Sequence, residues 1–472
     1  MTATSPPRQL HLNVNAWLSG FAASAWRTPD SDPRAFIDAR HYVRIARIAE
    51  AGKFDAVFLA DSVSTDGLGT GPVTALEPTV LLAAMAGATA RVGLIATAST
   101  SYNEPYNIAR RFASLDLLSG GRIGWNVVTT ADPGSARAYG LDAVPDHATR
   151  YRRAAEFTDI VKSLWNSWDD DAFIGDKAGG RLVDLARLHP TAHRGEFFAV
   201  QGTLGLPRSP QGHPVLVQAG GSADGRELAA RHAEAVFSAS QSFDEALSYA
   251  RDLKQRAEAR GRGKNAIRVF PGLGTFLGGT EAEARRRHRE LIELIPLEQS
   301  LGRLAARLGV APDRLVLDDQ LPDNLPLPNN GNGGHTFFHA IVGRARQGRL
   351  TVRQILRELA GGGGHREIVG TPEQVADDIE HWFRAGAADG FNLMPGVLPD
   401  GLQEFVDHVV PLLQRRGIFR TEYEGSTLRG HLGLARPAHP AQSQDAGESG
   451  ESGNSAESAE SEPAAQPVGT PA

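Results

Sequence analysis

The sequence predicts an α/β protein built as a (β/α)8 TIM barrel, with insertions after strand 4 and between strands 7 and 8 and a disordered C-terminal tail. Three observations lead there. Short apolar or β-branched runs alternate with segments of helical periodicity along 472 residues, and such alternation argues for a parallel sheet. The units number eight, which fits a closed ring better than an open sheet. Apolar residues make up 41% and charged residues 22% of the chain, the balance of a globular protein with a large core.

The elements follow in order. Residues 1–9 read as a frayed start, and residues 10–18 alternate as the first strand before an apolar loop that ends at Trp26. Asp32-Pro33 reads as an N-cap with proline at the first helical position. Tyr42, Ile45, Ala46 and Ala49 recur behind it at helical spacing until Gly52. The second strand, residues 55–60, ends at Asp61, and Glu77-Pro78 opens the next helix. Residues 92–99 form the third strand, with Thr97 and Ser99 on the face of Ile95 because strand side chains alternate. A helix over 105–118 stops at Gly120, the fourth strand lies within 121–130, and a helix runs from about residue 149 to 168.

Residues 169–213 break the rhythm with glycine, proline and short β-like pieces and form the first insertion. Strand five is 214–220, followed by Gly221-Ser222 and a helix to about His232. Strand six is 235–240 with a helix over 243–261, and strand seven is 267–276. The second insertion, 280–370, holds charged helices, a proline/asparagine/glycine loop at 326–334 and the glycines 361–364. Thr371-Pro372-Glu373-Gln374 is a capping box for a helix to Gly386. Strand eight is 390–397, and a helix over 401–416 completes the count. The barrel domain spans residues 1–436. The Ser/Glu/Ala/Gly/Pro mixture of 437–472 buries too little apolar surface to order itself.

Composition narrows the function. Six of the 55 acidic residues lie after Arg436, a stretch without Lys or Arg, and without them acids and bases balance at 49 each. A nucleic-acid-binding face needs a basic excess, so none is expected. No apolar run reaches the length of a membrane span or a signal core, which points to the cytoplasm. The chain has no cysteine, so disulfides, thiolate metal sites and a cysteine nucleophile drop out. His189 and His193 flank Pro190 in a loop and share no helix face, so no metal site is expected. Gly67 to Gly71 is glycine-rich, yet no helix or lysine follows, and it fails as a phosphate loop.

Three polar features remain. Asn126 sits in the fourth strand on the face of Gly124, Val128 and Thr130, where an unpaired buried amide costs about 1–3 kcal/mol. His147 and Tyr151 share one helix face at the C-terminal end of that strand, where barrel sites are built. Gly220-Gly221-Ser222 joins a strand to a helix; taken alone it reads as an ordinary N-cap serine, but beside His147 and Tyr151 its backbone N–H groups and hydroxyl can close on an anion. Asp61 reads as a helix cap or salt-bridge partner, and Thr97 as a hydroxyl satisfied by neighbouring backbone, unless both face a ligand at the same rim. These residues describe a barrel with an anion site and an uncharged polar cluster; they do not identify a reaction.

Motifs in order along about residues 10–436 resemble one family. They include residues 54–62 ending in Asp61-Ser62, Leu76-Glu77-Pro78, residues 96–100, residues 118–122 running into Trp125-Asn126-Val127-Val128-Thr129, and Asp146-His147 with Arg150-Tyr151. Others are residues 193–196, Gln218-Ala219-Gly220, residues 386–391 and residues 419–423. The chain resembles the bacterial-luciferase-like flavin-dependent monooxygenases, in the branch of nitrilotriacetate monooxygenase component A and dibenzothiophene sulfone monooxygenase.

The resemblance implies FMN, bound as FMNH2 supplied by a separate NAD(P)H-dependent flavin reductase, and oxygenation through a C4a-(hydro)peroxide of a small organic compound. Carried over by position, the FMN contacts are Asp61, Thr97, Asn126, His147, Tyr151, Gly221 and Ser222. Asn126 and His147 are the candidate catalytic groups, and a homodimer or homotetramer is implied. Relatives often carry histidine or tyrosine in the loop after strand one, whereas residues 20–26 here hold no titratable group. That apolar loop favours a hydrophobic or aromatic substrate containing sulfur or nitrogen. The same superfamily includes F420-dependent oxidoreductases, which make the alternative enzyme, and a flavin-binding protein without turnover is the alternative outside catalysis.

Overall fold

Eight parallel strands close on themselves. The first four are β1 (His11–Asn15), β2 (Ala56–Leu59), β3 (Gly93–Ser99) and β4 (Ile123–Val128). Two small hairpins interrupt the ring sequence, β5 (Phe173–Asp176) with β6 (Arg181–Val183) and β7 (Thr191–Arg194) with β8 (Ala199–Gly202). The ring resumes with β9 (Val215–Gln218), β10 (Ala235–Ser238) and β11 (Arg268–Leu277). After β12 (Arg366–Gly370), β13 (Gly390–Leu393) pairs back onto β1, His11 opposite Gly390 and Val14 opposite Leu393. The molecule is the expected (β/α)8 barrel.

This computed structural model describes residues 8–65, 68, 71–263, 265–326, 334–359 and 365–439. The chain divides into a unit of residues 1–437, which holds the barrel, and a second of residues 438–472. The expected disordered tail from residue 440 on, most of the proline/asparagine/glycine loop, the glycines 361–364, and Gly67 and Gly69 lie outside the described residues.

Two expectations about elements are corrected. Asp32 does not cap the first long helix: its carboxylate accepts from Arg34 N in a local turn, and the helix Ala39–Ala51 is capped by Asp38, which accepts from Arg40 N. The apolar residues at helical spacing begin only at Tyr42, so the capping signal nearer to them prevails. The second insertion is not wholly separate from the sheet either. Its last segment, β12, pairs in parallel with the outer half of β11, Leu273 opposite Arg366 through Leu277 opposite Gly370. The capping box at Thr371 and Gln374 forms as read.

The core lies in layers. Leu12, Val14, Leu94 and Trp125 point outward under the helices, while Phe58, Ile95, Val217 and Phe270 fill the ring from within. Its N-terminal end is stoppered by the chain's own C-terminal segment. Leu428 and Leu432 are buried against that inner cluster. Gly124 makes room for Leu428: a Cβ there would lie 2.9 Å from Ile95 Cγ1 and 3.2 Å from Leu428 Cδ2. Buried Asp55 ties the stopper down, accepting from Arg420 Nη2 at 2.7 Å and Leu12 N at 2.8 Å, with His11 Nδ1 at 2.9 Å. The second insertion has a small core of its own, in which Leu304, Leu308, Ile341, Val352 and Ile355 meet.

Candidate active site

The C-terminal ends of the strands carry the predicted residues. Asn126 on β4 stands opposite Thr97 on β3 and Val217 on β9. Its Nδ2 donates to Thr97 Oγ1 at 2.8 Å, while its Oδ1 is buried with no partner. Such an orphaned acceptor inside a polar lumen is an open position for a ligand's N–H. Thr97 and Asp61 line one cleft of about 370 Å³ with Ser99, Thr130 and a stacked pair of tyrosines, Tyr102 and Tyr139, 4.6 Å apart. Part of Asp61 remains open to water, yet the crowding of its carboxyl and, secondly, the nearby Glu77 raise its pKa to about 6.

The second cluster stands where β4 and β9 hand over to their helices. The helix His147–Trp165 starts two residues earlier than read from the sequence, capped by Asp146 through Thr149 N. Arg150 fixes its first turn over the strand end, donating to Pro145 O at 3.0 Å and Thr129 O at 3.3 Å. His147 and Tyr151 therefore share a face, with ring centroids 4.6 Å apart. Opposite them, Ser222 caps the helix Ala223–His232, its Oγ accepting from Gly225 N at 3.1 Å. The two helix starts meet: a Cβ on Gly225 would come within 3.1 Å of Tyr151 OH, and His147 Nδ1 lies 2.9 Å from Asp224 Oδ2. Tyr249 OH and Arg226 Nε hold the carbonyls of Gly220 and Gly221 and fix the loop between them.

The structure thus gathers His147, Tyr151, Gly221 and Ser222 at one helix N-terminus, and Asp61, Thr97 and Asn126 in the neighbouring ring mouth. Ser222 is thus an ordinary N-cap, and a hydroxyl that accepts from Gly225 N keeps its own proton free to donate. The two loop histidines, His189 and His193, face separate carboxylates, Asp169 and Glu156.

The chain belongs to the luciferase-like monooxygenase family. The family model matches residues 16–389. Nitrilotriacetate monooxygenase component A from Aminobacter aminovorans is 44% identical over 91% of this chain and 97% of its own length. Dibenzothiophene-sulfone monooxygenase from Rhodococcus erythropolis (strain XP) is 40% identical over 91% and 98%. Among solved structures, EDTA monooxygenase from Chelativorans sp. BNC1 superposes with a TM-score of 0.75 at 38% identity, covering 92% of this chain and all of that one. This luciferase-like protein is accordingly a flavin-dependent monooxygenase, in the branch its motifs resembled. Among the described residues no helix is long and apolar enough to cross a membrane.

Sequence reading missed two groups in this monooxygenase. Asp224 pairs with His147 at the start of the helix, and nothing in the spacing Ser222–Asp224 separates it from an ordinary first-turn acid. Asn13, Asn15 and Asn392 turn into the ring, each with a buried, unpartnered Oδ1. Their signal was the two-residue alternation of β1 and β13, read only as evidence for strands.

Proposed function

We propose that the chain is the oxygenase component of a two-component system. It takes reduced FMN from a separate NAD(P)H-dependent flavin reductase and inserts one atom of O2 into a small hydrophobic or aromatic compound containing sulfur or nitrogen. The observation that carries this reading is the neighbourhood of His147, Tyr151 and Ser222 at a helix N-terminus with an uncharged polar pair whose amide oxygen is unfilled. These residues suit a phosphate joined to a flat heterocycle with N–H and C=O edges.

Bound reduced flavin supplies the activation of dioxygen; the chain's residues position and shield it. The Gly221 backbone, the Ser222 hydroxyl and Tyr151 hold the phosphate, aided by the helix N-terminus. His147 bridges phosphate and ribityl chain, and for this it exchanges Asp224 for the ligand. Asp61, Thr97 and Asn126 fix the ring edge. The insertion between β11 and β13, with its separate core, closes over the mouth as a lid and keeps water out, since water diverts oxygen to hydrogen peroxide.

Two features support an uncharged substrate over a polycarboxylate. The loop of residues 20–26 is without ionisable side chains. The cleft beside Thr97 carries Asp61, Glu77 and Asp132 against a single cation, Arg111, which lies 3.7 Å from Glu77. One relative's designation as a component A supports a second, reducing protein. The test combines the purified protein with FMN, NADH, a flavin reductase and O2, and scores product against peroxide for dibenzothiophene sulfone and nitrilotriacetate. Turnover of the sulfone coupled to NADH oxidation is expected. Selective turnover of nitrilotriacetate would overturn the substrate class, and hydride transfer to F420 without oxygen uptake would overturn the oxygenase reading.

A further inference from the structure

We propose that His365 and Asn392 form a hydrogen-bond donor pair on the wall of the barrel mouth and bind an uncharged oxygen of the substrate, such as that of a sulfone or carbonyl. The inference rests on the substrate class argued above and names the residues that would recognise it.

His365 immediately precedes β12 and shares a strand face with Glu367. That face meets the inward glycines of β11: Glu367 is in register with Gly274, and Gly272 is in register with Asn392. Gly272 is required for the arrangement, because a Cβ there would lie 2.4 Å from His365 Nδ1 and 2.8 Å from Phe237 Cε2. The imidazole stacks on Phe237 with centroids 4.9 Å apart and planes 14° from parallel, and Phe237 in turn lies 5.8 Å from Phe58 of β2. A continuous aromatic surface therefore leads from the ring interior to His365.

The polar atoms on this surface are unfilled. His365 Nδ1 is buried without a partner, and so are both Nδ2 and Oδ1 of Asn392 and Oδ1 of its register neighbour Asn13. Burial lowers the imidazole's pKa to about 4, so the ring is neutral near pH 7. No protein partner selects a tautomer, so either ring nitrogen can carry the proton and donate it to a ligand. The imidazole of His365, whose Nδ1 faces Gly272, and Asn392, in register with Gly272, thus stand on one side of the mouth, across the ring from the Thr97–Asn126 pair. Glu367, two residues along, has a buried Oε1 without a partner. Its carboxylate near the same wall opposes an anionic substrate and leaves a neutral oxygen acceptor as the matching group.

Dibenzothiophene sulfone and fluorene separate the oxygen from the ring system, since the second keeps the fused rings and lacks the sulfone. Binding of each to the FMN-loaded full-length protein is measured by calorimetry, with FMN affinity recorded on the same samples. Wild type is expected to prefer the sulfone by at least about tenfold. His365→Phe, which keeps the stack on Phe237, should lose that preference while fluorene binding stays within about twofold, and His365→Gln should restore part of it. Equal weakening of both compounds in His365→Phe, or a wild type that binds neither or does not distinguish them, overturns the proposal. Unchanged FMN affinity in His365→Phe keeps such a failure distinct from a failure of the flavin reading.

Discussion

At the scale of single residues, Ser222 caps a helix and is the proposed phosphate donor, and the two roles can be separated. Its Oγ accepts from Gly225 N, so alanine removes both the cap and the proposed phosphate donor. Glycine is a fair N-cap, costing only a few tenths of a kcal/mol. Ser222→Gly should therefore keep thermal stability yet weaken FMN binding by about 1–3 kcal/mol; an unchanged FMN dissociation constant would place the phosphate elsewhere. Asp224 acts in the opposite direction. In the proposed site a phosphate displaces it from His147, so Asp224→Asn should tighten FMN binding, and a looser complex would show that the carboxylate helps rather than competes. Asn126→Ala should raise the hydrogen peroxide released per NADH more than it changes FMN affinity, because the proposed contact it removes is to the ring edge. His147 and Tyr151 were legible because helical spacing of four fixes a shared face whatever the tertiary context. Asp224 was not, because its partner comes from another helix 77 positions away in the chain.

Among the elements, the C-terminal stopper has the clearest energetic role. Leu428 is fully buried inside the ring's floor, so Leu428→Ala should cost about 2–5 kcal/mol of unfolding free energy, measured in urea. A loss below about 0.5 kcal/mol would mean that the floor rearranges or that the segment is dispensable. Residues 419–423 stood out in the sequence only as a motif; their task as part of the seal depends on a return to the far end of the barrel that no local pattern encodes. The same limit explains β12. Its five residues look like the end of an insertion because pairing with the outer half of β11 is a long-range choice. Helix starts show the converse: Thr371 with Gln374 was readable because both halves of the box are local, whereas at Asp32 a proline signal pulled the start six residues ahead of the true cap, Asp38.

For the whole molecule, the barrel's stability carries a titration that the sequence conceals. Asp116 is wholly buried beneath β4, accepting from Ile123 N at 3.0 Å and Gln211 Nε2 at 2.7 Å, and burial raises its pKa to about 6. The folded state thus binds this proton more tightly than the unfolded chain does. The associated stability is fully present below about pH 4 and is lost as pH rises through about 6, on the order of 2–3 kcal/mol. Asp116→Asn keeps the accepting oxygen and removes the titration, so it should gain stability relative to wild type between pH 4 and 8; an equal difference at both pH values would contradict this. The ring itself was readable throughout, since eight alternations of apolar period leave few ways to bury every strand. The polar lumen was not, because an asparagine in a buried strand signals a network or a ligand equally well. The most direct test of the account is a crystal structure with FMN bound. The phosphate should lie between Tyr151 and the Gly221–Ser222 turn, with the ring edge against Thr97 and Asn126. A flavin bound outside this mouth, or one whose phosphate avoids the helix that starts at Ala223, would contradict it.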